Sequence, residues 1–205
     1  MLTATYTLVA LSVEQASVRM SLQSLQKLLH ANFMDAHSLT QGQAGYVIDA
    51  VKRLADNSHW HKLDMYLIPA VRRATREADG LLQELDELAH AASDALASMA
   101  NRFGTLALES QQGVAQFCTA IDTFCSTTLK RLEREERELF PVARAVISGE
   151  AWFSIANAML AHSAYLEENR PAGKASAARA GTGSTPAALP QTPQLTPQPT
   201  PLLTH

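Results

Sequence analysis

Proline and glycine are scarce over most of this sequence of 205 residues. Only two of the nine prolines, Pro69 and Pro141, precede residue 171, and residues 1–168 are rich in Ala, Leu, Gln, Glu and Arg. That composition is typical of an all-helical domain. The other prolines lie among Ala, Gly, Ser, Thr and Gln, in a stretch with no run able to bury an apolar face. We therefore predict a helical domain, 1–168, followed by a disordered tail, 169–205.

Cysteine, long apolar runs and basic residues near the start are scarce as well. The only cysteines, Cys118 and Cys125, would lie two turns or roughly 10 Å apart on one helix. This distance excludes a disulfide between them and favours two small buried residues. No Lys or Arg precedes Arg19, and no apolar run is long enough to span a bilayer. We therefore expect no signal peptide, no membrane helix and a cytoplasmic location.

An excess of basic charge is absent too. The chain has 17 basic and 20 acidic residues, and three of the basic ones lie in the tail, which has no acid. The helical domain therefore carries 14 basic against 20 acidic residues, a net charge of −6, which argues against a nucleic-acid partner. The sequence also lacks a nucleophile paired with a base, a glycine-rich phosphate loop and a Cys/His metal motif, so we predict that it is not an enzyme.

Apolar residues recur at helical spacing along the predicted domain. The first seam steps by four and three through Leu11, Gln15, Val18 and Leu22, with Gln15 as its polar member. The periodicity predicts four long helices and a short fifth one, over residues 8–31, 43–76, 79–102, 112–147 and 150–166. Pro69 should interrupt or kink the second helix. Long helices, short connections and seam-like stripes together predict an all-α, up-down-up-down four-helix bundle, closed at one end by the fifth helix.

The two prolines of the predicted domain mark an internal repeat. Residues 59–69 read HWHKLDMYLIP, and residues 131–141 read RLEREERELFP. Superposing the prolines pairs His59 with Arg131 and Leu63 with Glu135, and it also aligns the apolar pair before each proline. Each half then corresponds to one helix pair. The sequence therefore predicts a duplicated helical hairpin.

These two segments, together with AWFSIANAMLAH at residues 151–162, resemble the hemerythrin-like, or HHE cation-binding, domains. The resemblance covers about residues 1–165. It implies a four-helix bundle that holds two iron ions, with one histidine from each of helices one and three and a His-x-x-x-Glu pair from each of helices two and four. Residues four apart share a helix face, so an imidazole and a carboxylate can enter one cavity. Oxygen or nitric oxide binding, iron storage or redox sensing would follow from such a centre.

Half of the ligand positions that the resemblance implies hold other residues in this chain. Gln15 and Arg131 stand where helices one and four should offer histidine, and Leu63 stands where helix two should offer a carboxylate. The residues of ligand type that remain are His59, His90 and Glu135. Periodicity favours a surface position for His90, whereas the resemblance favours an interior one. His59 lies at the edge of its apolar sector, where either a partly exposed position or an interior one is open.

Arg131 argues most strongly against a metal. A guanidinium stays charged and, at about 4 Å from a divalent ion with an effective dielectric near 20, would cost roughly 8 kcal/mol in repulsion. Turned inward, Arg131 would pair with Glu135, and Gln15 would hydrogen-bond to either of them, while Leu63 fills the volume of the lost carboxylate. Turned outward, Arg131 would belong to an ordinary solvated run of charges. Both alternatives stay open.

Two functional hypotheses follow from these residues. The first is a non-enzymatic hemerythrin-like domain that has lost the two-iron site, needs no cofactor, and serves as an interaction or regulatory module for an unidentified protein partner. The alternative is a reduced, mononuclear site on His59, His90 and Glu135, which would bind iron or another cation in oxygen, iron or redox sensing. The tail segment TPQLTPQPTP is either a polyproline-type ligand for a partner or a solvated extension.

Overall fold

The computed structural model describes residues 2–33, 36–56, 58–103 and 109–168, and no β-strand occurs among them. The prediction of an all-α domain is confirmed. Met1–Tyr165 form one compact unit, and the predicted tail, 169–205, lies outside the described residues. The helices are α1 (Leu2–Asn32), α2 (Gln41–Ala55), α3 (Ser58–Lys62), α4 (Ile68–Ala74), α5 (Asp79–Phe103), α6 (Gln111–Arg134), α7 (Phe140–Val146) and α8 (Gly149–Glu168).

Helix α1 begins at Leu2, six residues before the predicted start. Ala4 and Thr7 are buried and continue the seam toward the start of the helix, and the hydroxyl of Thr7 donates to the carbonyl oxygen of Thr3 at 2.9 Å. Alanine and threonine are not distinctive in an apolar pattern defined by leucine and valine. The periodicity therefore did not predict this extension of the helix. The buried positions of α1 are Ala4, Thr7, Leu11, Gln15, Val18, Leu22, Leu25 and Leu29.

The prediction of one helix over residues 43–76 is wrong. Helix α2 starts with a capping box between Thr40 and Gln43, and it ends at Ala55. The indole N–H of Trp60 donates to the carbonyl oxygen of Leu54 at 3.2 Å, which satisfies one of the carbonyl groups that a helix end leaves without a partner. The chain then resumes as α3. The stretch Ala-Asp-Asn-Ser at residues 55–58 contains turn-favouring residues that explain the break.

The two proline segments have the same backbone, as the superposition of their prolines predicted for these residues. A π-helical turn, Leu63–Leu67, joins α3 to α4, and a second one, Glu135–Leu139, joins α6 to α7. In each turn the N–H of the residue before the proline donates to a carbonyl oxygen five residues back. The proline that follows has no N–H and would crowd an ordinary helical turn, whereas a wider turn gives its ring room.

Four of the helices contact one another around a closed ring. Helix α1 contacts α2 and α6, and α5 contacts the same two helices. The two proline helices, α4 and α7, also contact each other. No helix in the described parts of the chain combines the length and apolar content needed to cross a bilayer.

Buried apolar residues form two separate clusters along the helices. In α1, Leu11 belongs to one cluster and Val18 to the other, and Gln15 lies between them. In the segment from α6 to α7, Leu132 and Leu139 belong to different clusters in the same way. A polar layer therefore divides the core. The buried polar residues are Thr7, Gln15, His59, Lys62, Thr128, Arg131 and Glu135.

Equivalent leucines of the repeat should contribute equally to stability. Leu67 and Leu139 are both fully buried at the ends of the two π-helical turns. We expect Leu67→Ala and Leu139→Ala each to lower the free energy of unfolding by about 2–5 kcal/mol, because each leaves a cavity in the core. Urea unfolding measures both values. Met65→Ala, at an exposed position of the first π-helical turn, should change the free energy of unfolding by no more than about 0.5 kcal/mol. A large loss at only one leucine would contradict equivalent packing.

Candidate functional site

The carboxylate of Glu135 is the centre of the polar layer. It has no solvent exposure, and both of its oxygens have partners. Gln15 Nε2 donates to Oε2 at 2.8 Å, and His59 Nε2 lies 3.2 Å from the same oxygen. Arg131 Nε donates to Oε1 at 2.9 Å. Three segments, α1, α3 and α6, therefore converge on one buried charge.

The guanidinium of Arg131 points into the fold. Its side chain is 8% exposed, its Cζ lies 4.9 Å from the centre of the Trp60 ring, and its Nη2 donates to Asp64 Oδ1 at 2.7 Å. The inward alternative is thus confirmed for Arg131 and Glu135. Arg137 and Glu133 of the same run follow the solvated alternative, since they form an exposed ion pair at 2.6 Å.

Asp64 is a member of the site that the sequence did not indicate. A position one residue after Leu63 points about 100° away on a regular helix, which excluded Asp64 from the predicted ligand set. The side chain of Asp64 is 53% exposed and sits at the outer end of the network. The long side chain of Arg131 reaches it across the boundary between buried and solvated groups.

His59 is fully buried, so the partly exposed position that its sequence context left open is wrong. The ring of Trp60 packs edge-on against the imidazole, with 5.0 Å between centroids. Nδ1 of His59 lies 3.9 Å from Glu14 Oε2, and Glu14 also pairs with the ammonium of Lys62. Burial by itself lowers the pKa of His59, but the carboxylates of Glu135 and Glu14 outweigh it and raise the pKa above its ordinary value.

The charges of the network balance when His59 is protonated. Three carboxylates, from Glu14, Asp64 and Glu135, then face three cations, from Lys62, Arg131 and the imidazolium. Burial alone raises the pKa of Glu14, yet the nearby imidazole of His59 and the ammonium of Lys62 bring the pKa below its ordinary value. The site is therefore a chain of mutually neutralised groups whose two ends, Glu14 and Asp64, are partly exposed to solvent. Apart from Glu14, its members are Gln15, His59, Lys62, Asp64, Arg131 and Glu135.

His90 does not join the other two residues of ligand type. Its side chain is 73% exposed, and Nδ1 lies 2.8 Å from the carbonyl oxygen of Asp86 and 3.6 Å from the carboxylate of the same residue. The neighbouring Ala89 instead lines the two cavities beside Arg131. Consecutive residues of a helix point about 100° apart, so only one of these two can face the network. The periodicity argument for His90 is confirmed, and the predicted set of His59, His90 and Glu135 is not assembled.

The residues around Glu135 do not fit the two-iron centre that the resemblance implies. A bridging carboxylate would need both oxygens for metal, but here hydrogen-bond donors engage both of them. A permanent cation lies 2.9 Å from one of these oxygens, so a metal ion beside it would be repelled. Leu63, fully buried, offers hydrocarbon where a second carboxylate would bind. Among the described residues, no group of three or more His, Cys, Asp or Glu side chains has the geometry to hold a metal ion.

Comparison with known proteins gives no relative of this chain. No protein-family model, no curated protein and no solved structure matches it. The hemerythrin-like resemblance therefore rests on the residues quoted above and stays a prediction.

Neutralising the central carboxylate should destabilise the fold severely. Glu135→Gln would leave the Arg131 guanidinium without its buried counter-ion, and we expect a loss of about 3–5 kcal/mol in the free energy of unfolding. The same change at the next residue is the matched control, because Glu136 forms only an exposed ion pair with Arg19 at 2.8 Å. Glu136→Gln should cost less than about 1 kcal/mol. Similar losses for both variants, measured by urea unfolding, would show that Glu135 has no special role.

His59 should make stability depend on pH in a defined direction. Because its pKa in the fold is raised, its contribution is fully present below the ordinary value of 6.5 and is lost as pH rises through the higher folded pKa. Glu14 has a lowered pKa, so its contribution is present above 4.5 and is lost as pH falls through the folded value. We expect the free energy of unfolding of the wild-type protein to decline above 6.5, and His59→Gln to reduce that decline.

His30→Gln, which removes an exposed histidine from α1, is the control for this pH series. It should retain the wild-type decline. Urea unfolding at a series of pH values measures all three proteins. An identical pH dependence of wild type and His59→Gln would show that the imidazole does not gain its proton affinity from the network.

Proposed function

We propose that this chain is a hemerythrin-like, up-down-up-down four-helix bundle whose two-iron site has been replaced by a network of side chains. Two observations support the architecture. Helices α1, α2, α5 and α6 contact one another in a ring, and the two proline segments repeat the same π-helical turn, as duplication of a helical hairpin requires.

The single observation that carries the loss of the metal site is the inward guanidinium of Arg131. It donates to Glu135, the carboxylate that the resemblance assigns to the metal. Gln15, at another implied histidine position, donates to the same carboxylate. Buried Leu63 occupies the position of the second carboxylate. Side chains that replace a cofactor must balance the charges left in the core and fill the space that the cofactor occupied, and these residues do both.

A role as a non-enzymatic interaction or regulatory module follows from this chemistry. Each charged group of the network is engaged by another one, and the central carboxylate accepts three contacts at two oxygens. A general base or a nucleophile needs an atom free to meet its substrate. The groups at the centre of this core instead hold segments of the chain together. The protein would then act through contacts between its surface and a partner.

Restoring an imidazole at the arginine position should restore metal affinity. Arg131→His removes the permanent charge and places a second imidazole near His59 and Glu135, a ligand set suited to a borderline divalent cation. We expect this variant to bind Co²⁺ at least about tenfold more tightly than the wild-type protein. Visible absorption of the bound Co²⁺, titrated at neutral pH, measures both affinities.

Lys130→His is the matched control, since it makes the same type of change at the adjacent exposed position of α6. It should bind Co²⁺ no better than the wild-type protein. Elemental analysis of wild-type protein purified without chelator completes the test. Two irons per chain, with an oxo-bridged absorption band after exposure to oxygen, would contradict the proposed loss of the site.

A further inference from the structure

Helix α1 has a second apolar face opposite its buried seam. Its members follow one another at steps of four, three, four and seven residues, so they lie along one side of the helix. Each is between 56% and 72% exposed. This surface, here named the outer stripe, consists of Leu2, Tyr6, Val9, Val13 and Met20.

The first part of α1 carries no charge and has little intrinsic tendency to be helical. Residues 2–13 read LTATYTLVALSV, with no Asp, Glu, Lys or Arg. Threonine and valine are weak helix formers, so this part of the helix depends on what packs against it. The residues beside the outer stripe, such as Ala10 and Ser12, are small and let another helix approach closely. Residues 2–13 of two copies can therefore meet without opposing like charges.

Grooves flank the outer stripe on both sides. One groove, of about 460 Å³, lies between α1 and α8 and is lined by Tyr6, Met159 and Leu160. The other, of about 580 Å³, lies between α1 and α7 and is lined by Val9 and Phe140, with Glu136 and Arg144 of opposite charge also in its wall. A ridge beside a groove is self-complementary, because under a two-fold axis the ridge of each copy can enter the groove of the other.

The apolar area of this surface is close to what a stable dimer needs. Burying the exposed parts of the five side chains and of Leu160 would remove on the order of 600 Å² per copy, at roughly 100–200 Å² for each fully exposed side chain. A standard interface buries about 800 Å² per partner. The small residues beside the stripe and the walls of the grooves can supply the remainder.

We propose that the outer stripe of α1 is the interface with a second copy of this chain, arranged about a two-fold axis. Helices that lie on membranes carry Lys and Arg on their polar face, whereas residues 2–13 carry none and the domain 1–168 has a net charge of −6. A second copy therefore fits the chemistry better than a lipid surface. The inference does not depend on the fate of the metal site, since the stripe lies on the outer side of α1 and Glu135 is buried in the core.

Charge placed on the outer stripe should separate the two copies. Wild-type protein should form a dimer with a dissociation constant of about 10 µM or tighter. The double variant Tyr6→Glu with Val13→Glu should weaken it at least about tenfold, because two carboxylates per copy would be buried in an apolar interface. Tyr46→Glu is the matched control, since Tyr46 is 65% exposed on α2 and Tyr6 is 69% exposed. Analytical ultracentrifugation over a concentration series measures all three, with circular dichroism to verify helicity.

A crosslinking experiment gives an independent readout with little change to the surface. Cys118 and Cys125 are buried, as predicted, and burial raises the pKa of both thiols, that of Cys125 to about 12 with a contribution from Asp122. Neither should react with maleimides in the folded protein. A short bismaleimide should therefore join two copies of Val13→Cys and leave Tyr46→Cys as single chains.

Several results would overturn the proposal. The proposal is wrong if the wild-type protein stays monomeric at about 100 µM. It is also wrong if the double variant Tyr6→Glu with Val13→Glu dimerises as tightly as the wild-type protein. Equal crosslinking of Val13→Cys and Tyr46→Cys would place the contact elsewhere. Monomers that co-sediment with phosphatidylcholine vesicles would assign the stripe to a lipid surface instead.

Discussion

A carboxylate that has lost all contact with water must be bound on every side, and Glu135 imposes this requirement on the rest of the fold. Leaving such a charge without partners costs several kcal/mol even after relaxation. Gln15 from α1, His59 from α3 and Arg131 from α6 meet the requirement together. Because these donors have fixed positions along their helices, the carboxylate sets how far each helix can slide past the others. The apolar clusters above and below then pack in one register.

The two proline segments keep the same backbone and carry different chemistry. The π-helical turns, the prolines and the short helices after them recur at the same relative positions. Leu63 of the first half is hydrocarbon where Glu135 of the second is charged, and His59 stands opposite Arg131 in the alignment. A duplicated hairpin with identical halves would bring two buried carboxylates together. The asymmetry leaves one buried carboxylate, and the cations around it can neutralise it.

Helix α1 serves two environments at once. Its inner seam supplies Gln15 to the network, and its outer stripe exposes Tyr6 and Val13. Glu14, between the two faces, approaches His59 and pairs with Lys62. Any change that repositions α1 would therefore alter both its outer surface and the carboxylate that helps His59 to retain its proton.

The sequence by itself determined the all-helical class of the domain, the inner seam with its glutamine, and the similarity of the two proline segments. These features depend on neighbours three, four or seven residues apart, which a reader of one sequence can see. Only the tertiary structure decided that Arg131 turns inward, that Asp64 meets it, and that His59 is buried while His90 is not. The physical reason is distance along the chain. The bond from Gln15 to Glu135 joins residues 120 positions apart, and whether a charge is buried depends on such distant partners.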